Sequence, residues 1–196
     1  MGAITRNDPQ LGRASRRRQV REFMTDLSRD PARATAWLVE NYRTAIIGRV
    51  GVACLSEVPD DLLMWAHYAD SHRGVCFQFD SGSEFLRDAM QVTYQRSRPL
   101  IDPTMDTPNE MLERGLLTKS EHWKYEREWR LIAYRSGPGS YVFPHSTLTG
   151  VILGAQISKD DAAMVAEWGK KRQPALAILQ ASLSRSQFGI EIHPAA

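Results

Sequence analysis

The sequence has few cysteines, no long hydrophobic run and almost no net charge. Only two of its 196 residues are cysteines, and Cys54 and Cys76 do not form a CxxC pair, which excludes a disulfide framework. No apolar run approaches the roughly 18 residues that a membrane-spanning helix requires. Lys plus Arg number 25 and Asp plus Glu number 23, a balance that argues against a dedicated nucleic-acid coat. We therefore predict a cytoplasmic protein with reduced, buried cysteines and no membrane partner.

The small net charge is unevenly distributed along the chain. Residues 1–50 contain ten basic and five acidic residues, whereas the rest of the chain contains 15 and 18. Apolar residues at helical spacing predict two helices in this basic part, over 13–27 and 31–47. We predict a basic N-terminal helical segment over 1–49 and an α+β body over 50–196. The arginines at 16–18 are expected on a solvated helix face, with a weak RNA or phosphate contact as the alternative.

Apolar runs and turn signals in the body predict a mixture of helices and strands. Strands are expected at 50–55, 75–80, 92–94, 129–134, 141–143, 148–153, 175–179 and 189–192, and helices at 61–68, 83–90, 109–118 and 160–171. Because these elements lack regular βαβ alternation, we predict a single mixed α+β domain whose sheet is mostly antiparallel or mixed.

Two segments combine aromatic, basic and acidic residues at fixed spacing. Residues 62–76 read LLMWAHYADSHRGVC, and residues 119–132 read KSEHWKYEREWRLI. They resemble the LMW-(S/A)-HYA and KxxxWxYExEWR blocks of the bacterial domain of unknown function 2971 family, and the resemblance spans about 50–181. Members of that family usually begin with a strand and an Asn-Asp-Pro segment. Since Asn-Asp-Pro here occupies 7–9, the resemblance implies that the upstream strand is missing.

The pair Glu126 and Glu128 is the strongest candidate for catalysis. If this stretch is extended, both carboxylates and Arg130 point to the same face. Mutual repulsion could hold the pKa of one carboxyl high, which suits general acid–base catalysis or stabilisation of a cationic transition state. Arg130 could bind a carboxylate or a phosphate bidentately. The alternative is an exposed strand entrance with salt-bridged glutamate and arginine side chains.

His67 and Tyr68 form a second candidate site. Imidazole and phenol groups can hydrogen-bond a ribose hydroxyl and stack on a base or a nicotinamide ring. On a helix, Leu63, His67 and Asp70 share one face, so Asp70 could orient His67. The alternative is a buried His67 that is satisfied by a backbone carbonyl, with Tyr68 in the core.

Lys119, Trp123 and Tyr125 precede the glutamate pair. Aromatic rings beside Lys and Arg side chains are typical of a surface that binds a nucleotide or single-stranded nucleic acid. The alternative is a set of core aromatic residues with a solvated lysine.

These residues favour an enzyme that acts on a nucleotide. The arrangement is similar to that of ADP-ribosyltransferases, which implies NAD as the substrate. Glu128 would then hold a ribose hydroxyl and stabilise the oxocarbenium-like state, Glu126 would activate the acceptor, and Tyr68 would pack on nicotinamide. Lys119, Trp123, Asp70 and Arg130 would contribute to substrate binding.

Two other functions compete with this one. The first is a non-catalytic module that binds a nucleotide or nucleic acid in phage defence or a toxin–antitoxin pair. The second is a metal-assisted hydrolase or nuclease that uses His67, Asp70 and the glutamate pair. The spacing of His67, Asp70 and His72 is poor for a metal site, so we expect no bound metal.

Overall fold

The computed structural model of the chain describes residues 49–102, 105–134 and 136–195, together with scattered positions between 17 and 40. The predicted N-terminal helices lie largely outside the described residues, as does the Asn-Asp-Pro segment at 7–9. The boundary predicted between 49 and 50 therefore stays a prediction.

The described part from residue 49 onwards contains strands, α-helices and short 3-10 helices. The strands are β1 (Gly51–Ser56), β2 (Val75–Phe79), β3 (Met90–Gln91), β4 (Thr93–Gln95), β5 (Thr118–Ser120), β6 (Glu128–Ala133), β7 (Leu148–Leu153), β8 (Ala177–Leu183) and β9 (Ile190–Pro194). The α-helices are α1 (Leu62–Tyr68), α2 (Pro108–Leu116) and α3 (Lys159–Lys171), and the 3-10 helices are Glu84–Leu86, Glu121–Glu126 and His145–Thr147.

The strands assemble into three sheets. A four-stranded sheet has the order β2-β7-β8-β9, in which only β7 and β8 are parallel. A three-stranded antiparallel sheet has the order β1-β6-β3. The short strands β4 and β5 pair in parallel. This architecture confirms the predicted α+β class with mixed and antiparallel pairing.

Each α-helix begins at a side chain that caps its free backbone N–H groups. Asp61 accepts hydrogen bonds from the backbone N–H groups of Leu63 and Met64, at 2.8 and 3.0 Å. Thr107 forms a reciprocal capping box with Glu110 at the start of α2, and Ser158 caps α3. These caps explain why the helices predicted near 61, 109 and 160 begin close to the expected positions.

The hydrophobic core lies on both faces of the four-stranded sheet. Successive side chains of β7 point to opposite faces. Ile152 packs on one side with Trp65 and Ala69 of the α1 region. Val151 and Leu153 pack on the other side, against α3. Because Trp65 anchors α1 to the sheet, the residues on the opposite side of α1 face away from this core.

A tight left-handed turn connects α1 to β2. Asp70, Ser71 and His72 have φ values of 45°, 52° and 68°, a region that non-glycine residues seldom adopt. The turn packs against the residue that follows β7, Gly154, where an added Cβ would collide with the carbonyl oxygen of His72. Glycine is therefore required at 154, and the close packing fixes the end of α1 against the sheet.

Three expectations are corrected by the structure. Residues 141–143 form no strand, because the Tyr141 hydroxyl donates to the carbonyl of Gly137 and closes the segment on itself as a loop. The helix expected at 83–90 is a single 3-10 turn. Cys54, expected to be buried, is exposed, since β1 lies at the edge of its sheet.

Within the described residues, no helix is both long and apolar enough to cross a membrane.

Candidate functional site

Glu126 and Glu128 meet at the ammonium group of Lys119. Glu126 ends the 3-10 helix rather than extending the strand, so the extended conformation considered for it does not form. Arg127 then adopts a left-handed conformation with φ of 43°, and β6 starts at Glu128. This bend brings both carboxylates to one cation: Lys119 Nζ donates to Oε2 of Glu126 and, at 3.0 Å, to Oε2 of Glu128.

Arg130 approaches Glu128 from the same face of β6. Residues two apart in a strand share a face, and the guanidinium group forms a bidentate pair with the carboxylate. The distances are 2.7 Å from Nε to Oε1 and 3.0 Å from Nη2 to Oε2. The Nη1 group of Arg130 donates to the carbonyl of Leu116, at the C-terminal end of α2 where a positive charge is favourable. Arg130 is thus engaged by the protein's own groups.

The two carboxylates are buried and Glu128 is firmly ionised. Glu126 and Glu128 are each 3% exposed, so the strand entrance considered above is buried rather than exposed, while the ion pair of glutamate with arginine in that alternative is present. Desolvation would raise the pKa of Glu128, but hydrogen bonds from Arg130, Cys54 and Lys119 lower it to about 2. Glu128 is therefore not the carboxyl with a high pKa that general acid catalysis needs. Desolvation opposes the charge of Lys119, yet its bonds to both glutamates raise its pKa, so Lys119 is a stable cation.

Tyr68 connects this buried network to the surface. Its hydroxyl donates to Oε1 of Glu126 at 2.8 Å, while the residue as a whole is 62% exposed. Desolvation and the bond to Glu126 raise the pKa of Tyr68, so the phenol stays neutral and can donate a hydrogen bond. The alternative that Tyr68 belongs to the core is wrong.

Four aromatic side chains lie beside the network of Lys119 and the two glutamates. We call them the aromatic surface: His67, Tyr68, Trp123 and Tyr125. The ring of His67 lies 6.3 Å from that of Tyr68 and 6.0 Å from that of Trp123, both edge-on. Trp123 and Tyr125 are 6.0 Å apart. The ammonium of Lys119 lies 5.2 Å from the Trp123 ring centre. His67 is exposed, so the alternative of a buried histidine is wrong.

Asp70 does not join this site. It lies beyond the end of α1 in the left-handed turn, and its carboxylate pairs with Arg73 at 3.0 and 3.1 Å. Because the helix ends before Asp70, the shared face with His67 does not form, and Asp70 does not orient His67. No group of three or more His, Cys, Asp or Glu side chains among the described residues could hold a metal ion.

Three further residues contact the network without having been singled out from the sequence. The hydroxyl of Tyr94 accepts the backbone N–H of Glu128 at 2.8 Å, and Ser56 donates to the backbone carbonyl of Glu126 at 2.7 Å. Desolvation and the neighbouring Glu128 raise the pKa of Cys54 to about 11, so this thiol is protonated and a poor nucleophile. Their contacts arise from strand pairing over long sequence separations, which no local pattern reveals.

A comparison with protein families finds a match in the central part of the chain. Residues 64–131 match the model of a family described as "Protein of unknown function (DUF2971)". This match supports the resemblance stated from the sequence over this range. Neither the curated proteins nor the solved structures contain a match to the chain.

The matched range contains the main residues of the site. Tyr68 lies at the end of α1. The other residues of the network follow later in the chain, and all lie within 64–131: Lys119, Glu126, Glu128 and Arg130. Two contacting residues, Cys54 and Ser56 on β1, lie outside the matched range. The family description names no activity, so the chemistry of the site must be argued from its geometry.

Proposed function

We propose that the protein binds a nucleotide at the aromatic surface. The observation that carries this proposal is the convergence of three exposed rings, those of His67, Tyr68 and Trp123, above an ammonium group held by two buried carboxylates. Stacking of a base on an aromatic side chain contributes about 1–3 kcal/mol. Exposed aromatic residues that cluster in this way mark binding surfaces more often than isolated ones do.

The polar atoms beside the rings suit a ribose. Tyr68 is exposed as a residue, and Lys119 retains 22% side-chain exposure, so both can contact a bound molecule. The carboxylates behind them are almost inaccessible and act by holding these two groups in place. A ligand hydroxyl would therefore meet the Lys119 ammonium as a donor and the Tyr68 oxygen as an acceptor, both already oriented by Glu126, which reduces the entropic cost of binding.

Binding can be tested by isothermal titration calorimetry with NAD⁺, ATP and AMP. The Trp123→Ala variant is expected to bind about five- to 150-fold more weakly, since it loses roughly 1–3 kcal/mol of stacking. Trp168→Ala is the matched control, because Trp168 is similarly exposed, at 47% against 37%, but lies on α3. Failure of the wild-type protein to bind any of the three would refute the proposal.

The second candidate is NAD-dependent ADP-ribosyl transfer. What favours it is that Tyr68, Glu126 and Glu128 converge on one site, as the similarity to ADP-ribosyltransferases requires. What opposes it is the state of Glu128, whose side chain is only 5% exposed and bonded to both Lys119 and Arg130. A transferase reaction would require substrate binding to displace Lys119 and open a path to Glu128.

Release of nicotinamide from NAD⁺ tests this second candidate. A transferase predicts that wild-type protein releases nicotinamide and that Glu128→Gln reduces the rate by at least about 100-fold, the scale of losing one electrostatic group in a transition state. Glu167→Gln, an exposed glutamate on α3, is the control. Nucleotide binding without nicotinamide release would refute the transferase and leave nucleotide binding as the proposed function.

Nucleic acid and metal are the remaining alternatives from the sequence. Binding of single-stranded oligonucleotides that weakens steeply with added salt would favour a nucleic-acid partner over a free nucleotide. The metal-assisted hydrolase has less support, because Asp70 pairs with Arg73 and the glutamate oxygens bind Lys119 and Arg130. A cytoplasmic location and a role in defence are parts of this proposal that cell fractionation and phage-challenge assays would test.

A further inference from the structure

The contacts beside the aromatic surface form a closed circuit. The Tyr68 hydroxyl bonds Oε1 of Glu126 at 2.8 Å, and the ammonium of Lys119 bonds Oε2 of the same carboxylate. This ammonium lies 5.2 Å from the centre of the Trp123 ring. The ring of His67 lies 6.0 Å from that of Trp123 and 6.3 Å from that of Tyr68, which closes the circuit. The phenol oxygen and the ammonium therefore belong to the same small area as the three rings.

The hydrogen-bonding role of the Tyr68 oxygen is fixed by the carboxylate behind it. A phenol has one proton to donate, and its oxygen can also accept a hydrogen bond. Tyr68 donates this proton to Glu126, whose side chain is only 3% exposed, so a bound molecule has little access to compete for it. Towards a bound molecule, the Tyr68 oxygen is therefore an acceptor.

Lys119 has the opposite role. An ammonium group has three N–H donors and no acceptor. Two of these donors bond Glu126 and Glu128, and the third is left for a molecule bound at the partly exposed side chain. The two oxygens of Glu126 thus hold an acceptor and a donor next to each other, and neither group can exchange its role with the other.

We infer that this pair selects nucleotides by the hydroxyl groups of their ribose. The inference rests on the proposed nucleotide binding and narrows its ligand class to ribonucleotides. A hydroxyl both donates and accepts, so the 2′ and 3′ hydroxyls of a ribose can donate to Tyr68 and accept from Lys119. A phosphate or carbonyl oxygen only accepts and offers nothing to Tyr68. A sugar without hydroxyls would cover both groups and leave them without partners, which costs binding free energy.

A matched pair of nucleotides isolates the ribose hydroxyls. AMP and 2′,3′-dideoxyadenosine 5′-monophosphate share the base and the phosphate and differ only in these hydroxyls. Calorimetric titration of the wild-type protein at pH 7 is expected to give about five- to tenfold tighter binding of AMP, the scale of a neutral hydrogen bond. Ribose 5-phosphate separates a nucleotide from a free sugar, and it is expected to bind about five- to 150-fold more weakly than AMP because it has no base to stack.

Two variants separate recognition of the hydroxyls from stacking of the base. Tyr68→Phe keeps the ring and removes the acceptor, so the preference for AMP over the dideoxy compound is expected to fall to about two- to threefold, the part contributed by Lys119. Trp123→Ala is expected to weaken both nucleotides by the same factor and to leave the preference unchanged. Thermal unfolding checks that both variants are folded, and the comparison on wild-type protein does not depend on either of them.

The possible outcomes distinguish this inference from the proposed function. A preference for AMP that falls in Tyr68→Phe and persists in Trp123→Ala supports the inference. Equal affinity for the two nucleotides, a preference that is unchanged in Tyr68→Phe or lost in Trp123→Ala, or ribose 5-phosphate binding as tightly as AMP would overturn it while nucleotide binding stands. Absence of binding by AMP overturns the inference, and absence of binding by NAD⁺ and ATP as well would refute nucleotide binding with it.

Discussion

The four-stranded sheet and the three-stranded sheet bury opposite kinds of side chain. Around β7 the buried residues are apolar, with Val151 and Ile152 at 0% and 1% exposure. At the start of β6 the buried residues are carboxylates, Glu126 and Glu128, each at 3%. Burial of apolar groups stabilises a fold in any arrangement that excludes water. Burial of charges does so only when every charge has its partners.

This difference indicates where the molecule has been shaped for something other than stability. A pair of well-packed apolar residues could replace a buried ion network at little cost or with a gain in stability. Four ionisable groups at one place, one of them connected to the surface through Tyr68, are therefore better explained by what they hold in position. The apolar region holds α1 in place, and the ionic region supplies the charged groups of the site beside α1.

Removal of a core side chain in the apolar region should have the largest effect. Ile152→Ala is expected to lower the free energy of unfolding by about 3–4 kcal/mol, because it removes buried methyl groups and leaves a cavity. Urea denaturation at pH 7 and pH 4 measures this loss, which should be the same at both values because no ionisable group is removed. Ile152→Val, the matched smaller deletion, should cost about 1 kcal/mol. A loss under about 1 kcal/mol for the alanine variant would contradict the assignment of this residue to the core.

Neutralising Glu128 in the ionic region should have a smaller effect that depends on pH. Its pKa is about 2 in the folded protein against an ordinary value of 4.5, so ionised Glu128 favours the folded state. This stabilisation is complete above pH 4.5 and disappears as the pH falls towards 2. It corresponds to about 3 kcal/mol at pH 7. Glu128→Gln should lose about that amount at pH 7, and the difference from wild type should be less than half as large at pH 3.

The control for this prediction is the exposed ion pair on α3. Glu167 pairs with Lys171 one turn away, and both side chains are largely exposed, so Glu167→Gln should show no pH-dependent difference from wild type. If Glu128→Gln lost the same stability at pH 3 as at pH 7, the effect would come from packing rather than charge. The contrast between the two regions would then fail.

The left-handed turn from α1 to β2 should respond to relief of backbone strain. Ser71 has φ of 52° and is exposed, and glycine adopts this conformation without the steric cost that other residues bear. Ser71→Gly is expected to raise the free energy of unfolding by about 0.5–1 kcal/mol, measured by thermal and urea denaturation. Ser81→Gly is the matched control at a turn residue without positive φ, where added chain entropy should lower stability. Destabilisation by Ser71→Gly would show that the turn is not strained.

The apolar region was largely predictable from the sequence and the ionic region was not. The run 148–153 ends at Gly154 and was predicted with the bounds observed, since apolar continuity and a glycine stop are local signals. Glu126, Glu128 and Arg130 were expected to share one face on the condition that their stretch is extended. They do converge, but through a 3-10 helix and a left-handed Arg127. No pattern in the sequence predicts this bend, because non-glycine residues with positive φ are uncommon.

Asp70 provides the smallest and sharpest test of which predicted residues belong to the site. Its carboxylate is exposed and bonded to Arg73 rather than to His67. Asp70→Asn is therefore expected to change nucleotide affinity by less than about twofold, as is usual for exposed surface substitutions. Tyr68→Phe, two residues earlier, should weaken binding by about five- to tenfold, because it removes the hydroxyl that Glu126 orients. Calorimetry on the two variants gives the comparison directly. A loss of tenfold or more in Asp70→Asn would extend the site into the strained turn, and the turn would then be part of the binding surface rather than only a connection from α1 to β2.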